Sequence, residues 1–595
     1  MKRFKKSNIF AVLRVLYAVM VISFFVPVLA HGQGKVHTRH LPEAISNGQA
    51  KWVNRLPASQ SLQLNIALPL RNESELDELL SQIYDPQSPS YHKFLSVEEF
   101  TERFGPSQKD YDAVISFAKA NDLTVTGTAP NRMIVDVEGP VANIERAFHV
   151  NMGKYQHPTE ERTFYAPDQE PTTDLSVLFW HITGLDNFSI PHPASLKRDT
   201  KAKGNLTGSG PSGYFIGSDM REAYYGGTTL TGSGQSVGLV EFVGYNINDV
   251  ITYFSSVGQS LNVAIVGVST DGSSLSCTGS CDDSEQVLDI EEAISMAPGM
   301  SQVLVYVSSN SDVSIFNKMA TDNIAKSLAC SWGWSPADPS SDDPIFKEFA
   351  AQGQTLFVAS GDNGAYRTRS KYVYPADDAY VTSVGGTNLT TNGAGGSWNS
   401  EIAWPDSGGG ISPNSIPIPS YQTAVGVITT TNKGSNVYRN APDVAAEANT
   451  DNYICYNGTC GGGWGGTSFA APRWAGYLAL VNQQSVAHGH STVGFINPTI
   501  YSIGLGTSYS NNFHDITSGN NGTYSTTAGY DLVTGWGSPN GTNLINYLAP
   551  SDTNLYGSFT GAGIWRWDGS FWTQTTPNNP QLMVTSGTNL YGSFA

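Results

Sequence analysis

Apolar residues recur every three or four positions from Glu73 to Tyr84, where Leu76, Leu79, Leu80 and Ile83 share one face. They do so again from Ser107 to Asn121, with Tyr111, Val114, Ile115 and Ala118. That spacing predicts two amphipathic helices. Leu123–Val125 and Met133–Val137 read as strands and Val141–Phe148 as a further helix, so residues 38–190 are expected to form a compact α+β domain. From 191 to 213 the periodicity stops and Lys, Gly, Ser and Thr predominate, which predicts an exposed linker of the kind at which chains are cut. Strands and helices then alternate over 214–549. Ser236–Phe242, Gln302–Val307, Ala325–Ser331, Leu356–Ala359 and Val381–Val384 read as strands, Ser284–Met296 and Pro344–Gln352 as helices. Such alternation predicts an α/β fold, a doubly wound parallel sheet with its chemistry at the carboxyl ends of the strands. Residues 551–595 break the pattern. Thr553–Phe559 recurs unchanged as Thr588–Phe594, with Trp565, Trp567 and Trp572 between the copies. One such β-repeat cannot bury a core by itself, so this Trp-rich tail is expected to be a truncated array.

A chain of 595 residues with 39% hydrophobic positions exceeds one core and suits two or three domains. The net charge of −18 argues against nucleic acid as the partner, because phosphate binding needs a basic footprint. The excess is uneven: residues 1–210 hold 22 basic and 22 acidic side chains, residues 211–595 hold 11 and 29. Carboxylates without cationic partners cost least when partly protonated, so the second part suits an acidic medium, or is merely an acidic soluble domain. Lys2, Arg3, Lys5 and Lys6, the apolar run Ile9–Val26 and the small-residue pattern Val28-Leu29-Ala30 make residues 1–30 an export signal. A retained anchor is the alternative reading of that run; no later stretch is long and apolar enough to span a bilayer. Export fits the cysteines, since Cys277/Cys281 and Cys455/Cys460 can each close a small disulfide loop, leaving Cys330 over. No histidine lies near either pair, which disfavours zinc.

Gly465-Gly466-Thr467-Ser468 leads into an apolar helix running to about Val481. Ser468 near the helix start would meet backbone N–H groups and a dipole suited to a developing anion. An ordinary N-cap would look the same, but Gly-Thr-Ser-x-Ala-x-Pro is also a pattern of subtilisin-like serine peptidases. A nucleophilic serine needs a base, and residues 211–487 contain no histidine; His488, His490 and His514 all follow Ser468. The alternative base lies in Asp282–Glu292, where Glu285 and Asp289 are four apart on one helical face and Glu292 lies close to the same side. Two such carboxylates are costly unless they share a proton or a task. Ser360-Gly361-Asp362-Asn363-Gly364 follows a strand at its carboxyl end, where either a turn or a functional aspartate belongs.

Together these residues resemble the sedolisin/kumamolisin family of serine-carboxyl peptidases over about residues 38–549. The family's Glu-x-x-x-Asp pair matches Glu285 and Asp289, its Ser-Gly-Asp-x-Gly aspartate Asp362, and its Gly-Gly-Thr-Ser nucleophile Ser468. Its additional glutamate matches Glu241 and the tryptophan of its Ser-Trp-Gly segment Trp332. Tyr91–Leu95 and Phe100–Gly105 resemble its activation prodomain. The resemblance implies that Glu285 takes the Ser468 proton, that Asp289 orients Glu285, and that a protonated Asp362 donates to the oxyanion. It also implies one structural calcium ion, held by the Asp515 and Asp531 side chains and the carbonyls of Ile516, Thr527 and Gly529; Thr527 stands where glycine is common.

The expectation is therefore a secreted, monomeric, acid-acting serine endopeptidase made as a precursor. Its parts would be a signal (1–30), an activation prodomain (38–190) that inhibits in cis, a linker cut on maturation (191–213), a subtilisin-like peptidase domain (214–549) and the tail (551–595). Its partners would be protein or peptide substrates, with no stable membrane anchor. The rivals are a tripeptidyl-peptidase of the same family, a hydrolase using His514 or His488, a catalytically inactive binding protein, and a glycan or wall adhesin acting through the tail.

Overall fold

The computed structural model describes residues 34–36, 39–194, 196–199, 207–279, 281–309, 311–337, 339–366, 372–550, 555–567, 572–578, 580–586 and 589–593. The expected export signal and, within the linker, residues 195 and 200–206 fall outside these residues.

The central sheet contains β1 (Ser236–Glu241), β2 (Ala264–Ser269), β3 (Gln302–Val307), β4 (Ser327–Cys330), β5 (Thr355–Ala359), β6 (Thr382–Thr391), β7 (Trp398–Ala403) and β8 (Val444–Glu447). Its order is β2-β3-β1-β4-β5-β6, every neighbour parallel. The chain thus reverses its direction of growth around β1, the kind of switch point at which open α/β sheets carry their sites. β6 outruns the expected strand because Val384–Thr387 pair with β8 in parallel and Thr387–Thr391 with β7 antiparallel.

One face is covered by α2 (Ser284–Met296) packed on α5 (Thr467–Ala487), with α1 (Ile247–Ser256) beside α2. The other carries α3 (Asp312–Asp322) and α4 (Pro339–Ala351). Every residue of α2 after Ser284 is buried, as is α5 through Asn482. Carboxylates in α2 therefore face protein and not water, contrary to the usual fate of an acidic helix. α5 ends at Ala487, six residues past the expected limit, because Asn482–Ala487 are acceptable helix formers once the core face is anchored.

The N-terminal α+β domain has a four-stranded antiparallel sheet containing Ser61–Ala67, Thr124–Thr128, Ile134–Pro140 and His181–Thr183. Its helices include Glu73–Ile83, Val97–Arg103, Gln108–Ala120 and Val141–Phe148. Gln108–Ala120 and Val141–Phe148 close its own core around Leu64, Val114, Val137 and Ile144. Glu73–Ile83 instead puts Leu76, Leu80 and Ile83 into one apolar cluster with Phe346, Phe349 and Ala350 of α4. Two long-range contacts pin this joint. Tyr84 donates its hydroxyl to the Ala350 carbonyl (2.6 Å), and Asn131 Nδ2 donates to Glu348 Oε2 (2.8 Å) and Asn317 Oδ1 (2.7 Å).

The first half of the linker is not the free loop its composition suggests. His192–Pro193 pairs antiparallel with Trp332–Gly333, and Lys197–Arg198 with Trp464–Gly465 of the hairpin β9 (Asn452–Tyr456) and β10 (Thr459–Gly465). The tail's two copies lie in strands Leu555–Phe559 and Asn589–Ser593, in separate small antiparallel sheets. Among the described residues, no helix is long and apolar enough to cross a membrane.

Candidate active site

The carboxyl end of β1 delivers Glu241, the segment after β4 delivers Ser331 and Trp332, and the loop after β5 delivers Asp362. α2 supplies Glu285 and Asp289 from its first two turns, and Ser468 is the second residue of α5. All six predicted catalytic and supporting residues converge and all are buried.

The Ser468 hydroxyl faces the Glu285 carboxyl closely enough to favour its ionised form, without a hydrogen bond of good geometry in this conformation. Burial is the larger influence and pushes Glu285 well above the usual carboxylate range, helped by Glu241 and Asp362. Asp289 is likewise raised by burial and then by Glu241 and Glu285, while Ser331 Oγ donates to its Oδ1 at 2.8 Å. Glu241 accepts from Trp332 Nε1 at 3.0 Å, meets Asp289 side chain to side chain, and is pushed by burial up to about 8. If all three groups were ionised, Glu241 Oε1, both Glu285 oxygens and Asp289 Oδ2 would be buried without a donor. Protons shared along the row Glu285–Asp289–Glu241 remove that cost.

Asp362 stands on the other side of the serine. Thr467 donates to its Oδ1 through both N–H (2.7 Å) and hydroxyl (2.8 Å), leaving Oδ2 buried and unpartnered. Burial raises this carboxyl to about 7, against the pull of those two donors. A Cβ on Gly466 would stand 2.6 Å from Oδ2, so glycine is what keeps this approach open. The Ser468 N–H belongs to the first turn of α5 and has no intrahelical acceptor. A buried serine therefore lies between a proton-accepting carboxylate row and a pair of potential anion donors, an arrangement suited to acyl transfer.

Ser331 and Thr467 were not singled out by sequence reasoning, although both sit inside motifs it used. Glu292 leaves the row: its carboxylate pairs with the Arg473 guanidinium at 2.7 Å. The histidines stand elsewhere. His514 stacks on Trp398 with centroids 3.8 Å apart, and His488 caps the far end of α5, twenty residues or roughly 30 Å of helix from Ser468. Cys330 is buried and its Sγ lies 3.4 Å from the Trp332 carbonyl; nothing in the site explains it. Cys277–Cys281 and Cys455–Cys460 are bonded, as their spacing predicted.

The expected calcium ligands cluster around the loop 527–531. Asp531 accepts from the amides of Thr527, Val533 and Thr534, and Asp515 from Gly529 N–H and Tyr509 OH. Among the described residues no donor meets the carbonyls of Ile516, Thr527 or Gly529. Carboxylates and carbonyls without a donor are the oxygen ligands that a hard cation takes.

Residues 49–188 match the family model "Pro-kumamolisin, activation domain", and residues 301–494 match the subtilase family. Kumamolisin of Bacillus sp. (strain MN-32) is 30% identical over 550 residues, spanning 86% of this chain and 95% of its own length. Sedolisin of Pseudomonas sp. (strain 101) is 27% identical over 555 residues, spanning 85% and 90%. A solved structure of Pseudomonas sedolisin, described as a serine-carboxyl proteinase, aligns with 58% of this chain and 99% of its own at 28% identity and a TM-score of 0.48. The chain belongs to the sedolisin/kumamolisin family of serine-carboxyl peptidases and carries that family's activation prodomain.

Proposed function

We propose that this peptidase is a secreted, acid-acting endopeptidase that matures by cutting its own linker. Ser468 attacks the scissile carbonyl while its proton passes to Glu285, which Asp289 and Ser331 hold in place. The oxyanion of the tetrahedral intermediate accepts from the Ser468 N–H and from a protonated Asp362 Oδ2. As the intermediate collapses, Glu285 returns the proton to the leaving amine, and the acyl-enzyme forms. Water then attacks that ester by the same route, its proton passing to Glu285 and on to Ser468 Oγ. Glu241, fixed by Trp332, extends the row over which the proton is shared.

The observation that carries this reading is the path of the linker. Ala194 N–H donates to the Ser331 carbonyl at 3.0 Å, and Asp199 N–H donates to the Gly463 carbonyl at 2.8 Å. Ala194 and Leu196 thus flank the site, with His192–Pro193 paired along Trp332–Gly333 and Lys197–Arg198 along Trp464–Gly465, the mode in which a strand is added to exposed backbone edges. We assign the maturation cut between Ala194 and Leu196. The chain continues past both ends of the cleft, which favours internal cleavage over release of tripeptides.

Asp362 can donate to the oxyanion only while protonated, which favours acid. Two disulfides and the basic-then-apolar N-terminus favour export. Asp515, Asp531 and the carbonyls of Ile516, Thr527 and Gly529 would hold a calcium ion, which would tie the 527–531 loop to the sheet without entering the reaction.

The test is acid incubation of the purified precursor, with wild type, Ser468→Ala and Glu285→Ala followed by gel and N-terminal sequencing. Wild type is expected to yield a new N-terminus at 195 or 196 and then to digest denatured protein only in acid, with both variants inert. Activity at neutral pH that survives Glu285→Ala would defeat the reading.

A further inference from the structure

The linker displays how the leaving-group side of the cleft is furnished, and three of its side chains meet built partners there. Leu196 packs against an apolar cluster of Leu288, Ile454, Trp464 and Phe469. Lys197 Nζ lies 2.6 Å from Asp406 Oδ2 and 5.5 Å from the centre of the Trp404 ring. The Arg198 guanidinium covers the Trp464 ring at 4.7 Å. The turn that carries Asp406 is fixed on both sides: its carbonyl accepts from Gly364 N–H, Trp404 N–H donates to Gly386, and Ser407 N–H donates to Trp404.

We infer that this side of the cleft is a selective subsite for an apolar residue followed by a basic one, with Asp406 and Trp404 as its specificity-determining residues, so that the preferred substrates are cationic segments of protein. The inference rests on the reading of the cleft given above and extends it to substrate class. Leu196 is received by side chains from α2, β9, β10 and the residue after Ser468, so its pocket is part of the catalytic framework and not of the prodomain. The carboxylate and the aromatic face together offer a cation both an ion pair and a quadrupole. The field around them agrees, because the chain after the linker carries 29 acidic against 11 basic side chains and draws positive segments toward the cleft. Lys197 and Asp406 remain 32% and 46% exposed, so water screens the pair and the selectivity is moderate.

The experiment uses matured enzyme at about pH 5, where surface carboxylates are largely charged. Quenched peptides copy residues 190–201 with Lys, Ala or Glu at the position of Lys197. The readout is the ratio of kcat/KM values, which does not depend on the active fraction. Wild type is expected to favour Lys over Glu by about five- to tenfold, the size of an exposed pair plus a cation–π contact. Asp406→Lys should invert the ratio, Asp406→Asn should bring it toward one, and the distant Glu222→Gln should leave it unchanged. A wild-type ratio near one, or a ratio that Asp406→Asn does not move, overturns the subsite while leaving the peptidase intact. Cleavage of none of the peptides by wild type would instead overturn the proposed function and the subsite with it.

Discussion

The amide and hydroxyl of Thr467 both donate to one oxygen of Asp362, which leaves the other oxygen as the sole atom of that carboxyl able to carry a proton toward an oxyanion. Because burial holds Asp362 at about 7, the donor is present through the acid range and is lost as pH rises past neutrality. Asp362→Asn keeps the geometry and supplies an N–H at every pH. Its alkaline limb in kcat/KM should therefore move upward relative to wild type, while Asp362→Ala should lose about 10²–10³-fold. An Asn variant whose alkaline limb matches wild type would separate Asp362 from the oxyanion.

Ser331 connects two catalytic elements, since its hydroxyl donates to Asp289 and also lies 3.3 Å from the Ser468 carbonyl. Removing a hydrogen bond to a buried ionisable carboxyl costs roughly 1.5–3 kcal/mol, or about ten- to a hundredfold. Ser331→Ala should lower kcat by that factor with little change in KM. It should also shift the acid limb of kcat/KM upward, because Asp289 and its coupled partner Glu285 lose a donor that favours their charged forms. A fall in kcat with an unmoved acid limb would reduce Ser331 to packing.

The chemistry of this site is legible in the sequence where it depends on local spacing. Glu285 and Asp289 share a helical face whatever surrounds them, and Gly-Thr-Ser before an apolar helix positions Ser468 at its start. The bounds of Ser284–Met296 follow from the same periodicity. What escapes is set by distant backbone. The linker's polar composition predicts exposure, yet its N–H and C=O groups pair with Trp332–Gly333 and Trp464–Gly465, and main-chain pairing leaves no mark in side-chain type. The helix Glu73–Ile83 shows its apolar stripe plainly, but periodicity says only that the stripe is buried, not that α4 of the other domain covers it. Asn131 and Glu348 stand 217 residues apart, beyond any local pattern.

That domain joint contains the groups an acid trigger can act on. Glu348 is pushed by burial up to about 8, so it already holds its proton at neutral pH and changes little on acidification. Lys347 behaves otherwise: it pairs with Asp77 of the prodomain at 3.1 Å and with Asp343 at 3.7 Å. Asp343 is raised to about 6, first by burial, so acid removes its charge early. Asp77→Asn removes the carboxylate that Lys347 meets across the joint. It should speed processing by up to about fivefold at a given pH, the scale of an exposed ion pair, and move the processing midpoint upward. Band half-times across pH measure this, and a midpoint unchanged in Asp77→Asn would exclude the pair as part of the trigger.

If calcium occupies the 515–531 oxygens, removing it leaves two carboxylates facing idle carbonyls. Chelation should lower the thermal midpoint of the Ser468→Ala precursor, restored by added calcium but not by magnesium, which demands tighter octahedral geometry. Asp515→Asn should abolish the chelator response. A midpoint indifferent to chelator and calcium would show that the Asp531–amide network holds the loop unaided.

The buried carboxyls give the whole protein an unusual pH dependence. Glu241 and Glu348 are raised from 4.5 to about 8, Asp362 from 3.8 to about 7 and Asp283 from 3.8 to about 6, in every case mainly by burial. A group that binds its proton more tightly folded than unfolded contributes fully below its unfolded pKa, and that contribution vanishes as pH climbs through the folded value. Between about pH 4 and 8 the folded chain therefore holds more protons than the unfolded one, and stability falls throughout that window. Glu348 is fully buried, so ionising it costs on the order of a few kcal/mol. Denaturant midpoints of the Ser468→Ala precursor should be higher at pH 4.5 than at pH 8. Glu348→Gln, which mimics the protonated form, should flatten the alkaline part of that slope. A midpoint that rises from pH 4.5 to 8 would mean that these carboxyls ionise in place, with donors or water absent from the arrangement described.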